Sequence, residues 1–182
     1  VVALANAGGD TQTSIKQAQE FGLTKGGQKL AALMINITDI DALGLQSAQG
    51  LIITTSFYWD RNEETRKFSR RFMERQKAAP TFLQAGAYSA VSHYLKAVKA
   101  AGTDDTNAVA AAMRKMKIND PMTENGWIRE DGRVMRDFYL VQVKTPAESK
   151  GRWDYYKLLA TIPAEQAALP LSRSECPLVT KR

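Results

Sequence analysis

One histidine, the glycine pair Gly8-Gly9, two aspartates two positions apart and a run of three aromatics are the groups in this 182-residue chain whose types could do chemistry. His93 lies in Val91-Ser92-His93-Tyr94-Leu95, within a stretch patterned as a long helix, and no nucleophile or base accompanies it. A hydrolytic triad or a zinc site needs several groups converging from different elements. The ring is therefore expected in a structural or solvent-edge place. Neither a Gly-x-Ser-x-Gly elbow, a His-Glu-x-x-His pair, a Cys pair nor a phosphate-cradling loop occurs. We expect a protein that is not an enzyme, with no metal and no cofactor.

The remaining groups suit binding better than bond-making. Gly8-Gly9 stands after an apolar run and before a helical one, where backbone amides can meet an anion or simply turn the chain. A third glycine and a downstream acid, which a dinucleotide site requires, are missing. Asp39 and Asp41 point to different sides of a helix, so helix capping is the simpler use. At the mouth of a cleft, Asp39 could instead meet a ligand amino group. Phe57-Tyr58-Trp59 either walls a ligand pocket or packs in the core.

Composition narrows the class further. With 44% hydrophobic and 24% charged residues, the chain is of folded, soluble type. Its net charge of +6 could mark a nucleic-acid footprint, yet the only dense basic stretch is Arg66, Lys67, Arg70, Arg71, Arg75 and Lys77. That stretch reads as the solvated face of a helix whose inward pair is Phe68 and Phe72, and no base-reading motif surrounds it. No nucleic-acid partner is expected. No apolar run approaches the roughly 20 residues needed to span a bilayer. Val1 to Ala5 already reads as a buried strand without a signal peptide before it, so the natural amino terminus is expected upstream. Cys176 is the only cysteine, either an unpaired surface thiol or one with a partner elsewhere.

Elements positioning these groups follow from periodicity. Val1 to Ala5, Lys29 to Ile35 and Gly50 to Thr55 read as apolar strands, separated by helical stretches at 11 to 21 and about 38 to 45. That alternation predicts an α/β fold with a parallel sheet flanked by helices. Helices are then predicted over 63–76, 81–101 and 106–116. In the second of these, Phe82, Ala85, Tyr88, Val91, Leu95 and Val98 draw an apolar stripe that something must cover. A β-hairpin is predicted from 126–129 and 134–143 around Glu130-Asp131-Gly132, then a strand over 153–162 and an irregular tail from Pro163 to Arg182.

Four segments carry a resemblance: VVALANAGGDTQTSIKQAQEFGL at 1–23, ALGLQSAQGLIITTSFYWD at 42–60, QAGAYSAVSHYLKAVKAAGT at 84–103 and ENGWIREDGRVMRDFYLVQVK at 124–144. Together they resemble the periplasmic binding proteins of branched-chain amino acid type ABC transporters, the leucine-binding-protein-like or extracellular ligand-binding receptors. The resemblance implies a type I periplasmic-binding fold, of which this chain looks like the carboxy-terminal half. It assigns 1–53 and 119–162 to an incomplete second lobe, 54–62 to a crossover, 63–118 to helices of the first lobe and 163–182 to a tail. It further implies a periplasmic or extracytoplasmic location, ABC permease subunits as partners, and a small-molecule ligand.

By the same resemblance, Asn6 and Ala7 after the first strand and Ile37, Thr38 and Asp39 after the second face the ligand cleft. Phe57, Tyr58 and Trp59 enter from the crossover, and Gln84 and Tyr88 from the long helix. Some amino-acid binders carry an aromatic where Ala7 stands, which leaves room here for a bulkier carboxylate, an aromatic one included. A ligand-sensing receptor domain on the same scaffold is the alternative. Burying one Leu or Phe contributes about 1.5 to 3 kcal/mol, so an uncovered stripe on the long helix is expected to drive a domain swap with a second copy unless the chain is a piece of a longer one. Light scattering during size-exclusion chromatography checks this: a dimer is expected for the swapped chain, and a well-behaved monomer counts against it.

Overall fold

Three apolar runs alternate with helices in the first third of the chain, and each helix returns the chain to the same edge of a growing sheet. The computed structural model describes residues 1–179, so the last three residues of the tail lie outside it. The order begins β1 (Val2–Leu4), α1 (Gly8–Glu20), β2 (Leu30–Ala32), α2 (Ile37–Leu43), α3 (Leu45–Ala48) and β3 (Ile52–Thr55). β1, β2 and β3 are parallel neighbours, with Val2 opposite Leu30 and Ala31 opposite Ile52. Three helices follow, α4 (Glu63–Gln76), α5 (Phe82–Ala101) and α6 (Thr106–Lys115). Then come β4 (Trp127–Ile128), β5 (Val134–Met135), β6 (Phe138–Val143), β7 (Tyr156–Ile162) and α7 (Ala164–Ala167).

The sheet runs β1-β2-β3-β6-β7. It is the expected α/β sheet with one modification. β6 lies antiparallel to β3, with Ile53 opposite Val141 and Thr55 opposite Tyr139. The predicted hairpin is real but short, since β4 pairs only with β5, Trp127 facing Met135. Arg136-Asp137 separates β5 from β6, so Phe138–Val143 leaves the hairpin and joins the larger sheet. Alternation in β6 explains this choice: Tyr139, Val141 and Val143 are buried, and a strand buried on alternate positions is stabilised by a sheet with a core face. In the expected irregular tail, α7 and a 3₁₀ turn at Leu171–Arg173 supply short order.

The chain divides into two compact units, Val1–Phe82 with Tyr139–Thr161, and Leu83–Phe138 with the residues from Ile162 on. In the first, α1, α2 and the sheet enclose a core that includes Ile15, Leu30, Ile40, Ile53, Val141 and Tyr156. α4 starts at Asn62, whose side chain accepts from Thr65 N at 2.9 Å while Thr65 Oγ1 accepts from Asn62 N at 2.9 Å. Such reciprocal caps satisfy two otherwise orphaned amides. The basic face of α4 is solvated and paired, Arg66 with Asp60 and Glu63, and Arg70 with Glu63. Inward, Phe68 meets Phe57 edge-on at 6.0 Å and Phe72 at 6.4 Å.

In the second unit, α5 turns a small and polar face inward: Ala85, Ser89, His93 and Ala97. Ser89 Oγ donates to Asp120 Oδ2 at 2.6 Å, and His93 Nε2 donates to the Met113 carbonyl at 2.9 Å. The imidazole thus ties α5 to α6 and holds a structural place. Tyr88, Val91 and Leu95 of the predicted stripe are instead exposed, at 43%, 58% and 58%.

A charged cluster closes the first unit across distant sequence. Asp41 of α2 accepts from Arg152 Nη2 at 2.8 Å and Nε at 3.2 Å, and from the Tyr155 hydroxyl at 2.5 Å. The Arg152 guanidinium holds the Asp41 carboxyl below its ordinary value of 3.8. A carboxylate depressed in the folded state contributes stability that is present above the unfolded value and lost as pH falls through the folded one. Asp41→Asn is therefore expected to lower stability at neutral pH by on the order of 1 kcal/mol, the solvent-screened scale for such a pair. It should also flatten the loss of stability below about pH 4, as read by urea unfolding at successive pH values.

Candidate functional site

Parallel strands place all their carboxyl ends on one side of a sheet, and the loops there are where open α/β sheets hold ligands. Here those loops are Ala5–Ala7 after β1, Leu33–Asn36 after β2 and Ser56–Asn62 after β3. An open concavity lies at this end and encloses only about 10 Å³, the room of about one water. Its wall takes Ile35, Asn36 and Ile37 from the second loop and Thr55, Phe57, Tyr58 and Trp59 from the third. Pro80, Thr81 and Phe82 from the segment between α4 and α5 and Tyr156 at the start of β7 complete it.

The aromatic run serves two purposes at once. Phe57 and Tyr58 are buried, and Tyr58 packs against Tyr156 at 5.2 Å and Trp59 at 6.1 Å, yet all three line the concavity. Trp59 Nε1 donates to the Trp153 carbonyl at 2.8 Å, so this indole is pinned by its own N–H. Trp153 itself sits at φ 76°, a left-handed backbone that costs a non-glycine residue about 1 to 2 kcal/mol. Burial of its ring, contact with Tyr155 at 5.9 Å and the bond from Trp59 hold it there.

Two buried polar atoms in the lining lack a well-formed partner, the Tyr58 hydroxyl and Asn36 Oδ1. Backbone groups of Tyr155 and Tyr156 approach the phenol oxygen and Asn36 caps α2, so it is the hydroxyl hydrogen that is left without an acceptor. Burial pushes the Tyr58 phenol well above its ordinary value of 10, so the hydroxyl stays a neutral donor throughout the physiological range. A buried polar atom without a partner costs free energy comparable to a lost hydrogen bond. Both are groups that a ligand or water can satisfy. Together they offer a donor and an acceptor under an aromatic wall.

The ten residues expected at the cleft divide accordingly. Ile37, Phe57, Tyr58 and Trp59 come together in the concavity. Thr38 and Asp39 occupy the first turn of α2, where Asp39 Oδ2 accepts from Asn36 N and Oδ1 from Gln12 Nε2, each at 2.8 Å. The helix cap falls at Asn36, two residues before the position expected at Thr38-Asp39. Asn6 spends its side chain on α1, accepting from Thr11 Oγ1 at 2.9 Å and donating to Ser14 Oγ at 3.1 Å. Ala7 is the exposed cap residue of that helix. Gln84 and Tyr88 belong to α5 in the second unit. Ile35, Asn36 and Thr55 lie at or just after the ends of β2 and β3, beside the position where the resemblance puts Ile37. Tyr156 carries no local signal, because only the β3-β6-β7 order brings it there.

Among the described residues, no group of three or more acids, histidines or cysteines could hold a metal ion, and no helix is long and apolar enough to cross a membrane.

A family model for the periplasmic binding protein matches residues 1–152. No curated protein matches the chain. Among solved structures, a periplasmic binding protein from Burkholderia mallei is 50% identical over 98% of this chain and 47% of its own, with a TM-score of 0.92. A branched chain amino acid ABC transporter periplasmic ligand-binding protein from Burkholderia xenovorans is 42% identical over 98% and 48%, with a TM-score of 0.90. A solute binding protein of an ABC transporter from Rhodopseudomonas palustris, solved with 3,4-dihydroxy benzoic acid, shares the fold at 20% identity, a TM-score of 0.75, and 89% and 44% coverage. The chain thus spans about half the length of these structures. Its parallel-rich sheet flanked by helices is the type I periplasmic-binding fold, and by sequence and fold together the chain belongs to the periplasmic binding protein family.

Proposed function

We propose that this chain forms part of the solute-binding component of an ABC uptake transporter, working outside the cytoplasm and handing a small amino acid or aromatic carboxylic acid to permease subunits. The observation that carries the reading is the open concavity at the strand carboxyl ends, with the Tyr58 hydroxyl and Asn36 Oδ1, neither of them well paired, in its lining. The hydroxyl can donate to a ligand carboxylate. Asn36 Oδ1 can accept from an ammonium or hydroxyl group, and the rings of Phe57, Tyr58 and Trp59 supply apolar contact. The transporter role is supported by the Burkholderia xenovorans relative, and the fold accommodates an aromatic acid in the Rhodopseudomonas palustris protein.

In this reading, 1–53 and 119–162 form part of one lobe, 54–62 crosses over, 63–118 supplies helices to the other lobe, and 163–182 trails as a tail. The exposure of Val91 and Leu95 supports it, since both then face the sheet of the other lobe or, in a swap, a second copy. Asn6, Ala7, Thr38 and Asp39 shape the rim, while Gln84 and Tyr88 meet the ligand from the opposite lobe. Ligand binding favours the closed arrangement, which the permease reads. No bond is made or broken.

Thermal-shift screening of the full-length protein against amino acids and aromatic acids tests the reading, because a ligand of the folded state stabilises it by mass action. Tyr58→Phe then separates its parts. Without ligand this variant is expected to melt close to the parent, since the lost hydroxyl makes no well-formed hydrogen bond. With ligand, affinity is expected to fall by about ten-fold, the scale of one hydrogen bond. A panel that stabilises nothing overturns the proposed function; a ligand shift untouched by both Tyr58→Phe and Tyr88→Ala overturns the pocket.

A further inference from the structure

Among the described residues, Lys77, Asn125 and Trp153 are the non-glycine residues with left-handed backbone. Lys77 closes α4 as its carboxyl cap, and asparagine tolerates this region better than most residues. Trp153 has neither reason. It lies in the connection 144–155 between β6 and β7. Strained backbone of this kind persists only where its surroundings over-determine it, and it gathers at ligand sites.

The surroundings of Trp153 are directional on both sides. Arg152 before it and Tyr155 after it donate to one carboxylate, Asp41 of α2, at 2.8 and 2.5 Å. Between them, the Trp153 carbonyl accepts from Tyr155 N at 3.0 Å and from Trp59 Nε1 at 2.8 Å. Asp154 braces the connection internally, accepting from Lys144 Nζ at 2.5 Å and from Lys150 N at 2.9 Å. The rings of Trp153 and Tyr155 are buried, which anchors them, but burial is non-directional and does not aim a carbonyl. The bonds to Asp41 supply direction, because they tie down the chain on both sides of that carbonyl.

Trp59 is the residue this carbonyl serves. Its half-buried indole lines the concavity, whereas Asp41 does not. We propose that Asp41 is a positioning residue of the ligand site: through Arg152 and Tyr155 it keeps the Trp153 carbonyl placed to receive the Trp59 N–H, and so sets the aromatic wall before a ligand arrives. A side chain ordered beforehand need not be ordered on binding. The effect on affinity rests on the transport reading; the hold on Trp59 does not.

The indole N–H resonance of Trp59 in the full-length protein, assigned by its loss in Trp59→Phe, is the direct readout. In Asp41→Ala it is expected to move upfield to the position of an indole bonded to water, while the Trp127 resonance stays. Glu148→Ala removes bonds to Thr145 within the same connection and leaves Asp41 alone. It is expected to leave the Trp59 resonance in place, which separates positioning from general loosening. Should Asp41→Ala fail to fold, Arg152→Ala replaces it, since that side chain is 63% exposed, and a shift in the same direction is expected. Titration with benzoate then reads affinity: Asp41→Ala is expected to weaken it by about ten-fold, the scale of one hydrogen bond, and to cost nothing further in a Trp59→Phe background. A parent that binds no benzoate overturns the aromatic-acid reading of the cleft and leaves the resonance to decide for Asp41. A Trp59 resonance unmoved by both Asp41→Ala and Arg152→Ala, one moved equally by Glu148→Ala, or additive losses of affinity would each overturn the proposal.

Discussion

The pairing of β3 with β6 is the constraint on which the first unit depends. At Thr55 the chain leaves the sheet for three helices and a small hairpin, and only the ladder from Ile52–Gln142 to Thr55–Tyr139 brings it back. Closing so long a loop costs little more than closing a shorter one, because the entropic penalty grows only logarithmically with length. What the ladder must supply is register. With a side-chain period of two, Tyr139, Val141 and Val143 face the core together, and a slip of one residue would present Leu140 and Gln142 instead. Backbone bonds beyond the ladder reinforce the correct setting: Val143 N donates to the Leu51 carbonyl and Gly50 N to the Val143 carbonyl, both at 2.9 Å.

Once β6 is fixed, β7 and the connection before it are placed against the cleft loops. Lys144 N donates to the Tyr155 carbonyl at 2.8 Å, and the Lys144 ammonium meets Asp154 at 2.5 Å. Trp153 then tolerates its left-handed backbone because its carbonyl receives the Trp59 N–H, while Arg152 and Tyr155 reach Asp41 on α2. The result is a chain of contacts from the third strand end, through the connection before β7, to the second strand end. Of these residues Trp59 lines the concavity itself, and the others tie down the segments next to Ile37 and Tyr156, which also line it. Rigid walls are what a small ligand requires, since side chains ordered beforehand need not be ordered on binding.

Much of this organisation was legible before any coordinates. The three helices are found at 63–76, 82–101 and 106–115, within a residue of their expected bounds, because Asn62 and Asp105 are strong caps and the chain between helices is rich in proline, glycine and aspartate. Strand ends were harder. Leu33 and Met34 continue the apolar run of β2, but the ladder stops at Ala32 and both side chains are exposed. Apolar composition alone does not mark where a partner strand ends. The aromatic trio could be seen as either core or pocket wall, and the distinction dissolves in the structure, where Tyr58 belongs to the core cluster and also lines the concavity. Tyr156 had no legible role, because its place depends on a register set by β6 rather than on its own neighbours.

α5 carries the apolar stripe that the sequence leaves without a cover, together with a second face that periodicity did not single out. Its apolar residues recur at helical spacing, which ordinarily marks the buried face. Within the second unit the buried face is instead Ala85, Ser89, His93 and Ala97, and it holds because its polar members are satisfied by Asp120 and the Met113 carbonyl. Small side chains allow close approach and the hydrogen bonds supply the specificity, so this face can pack without large apolar groups. The stripe of Val91 and Leu95 is then surplus to the unit's own packing. A helix with one face satisfied by polar contacts and another left apolar is built to be covered on both sides. In a chain spanning about half the length of its relatives, the second cover is what the proposed other lobe would contribute.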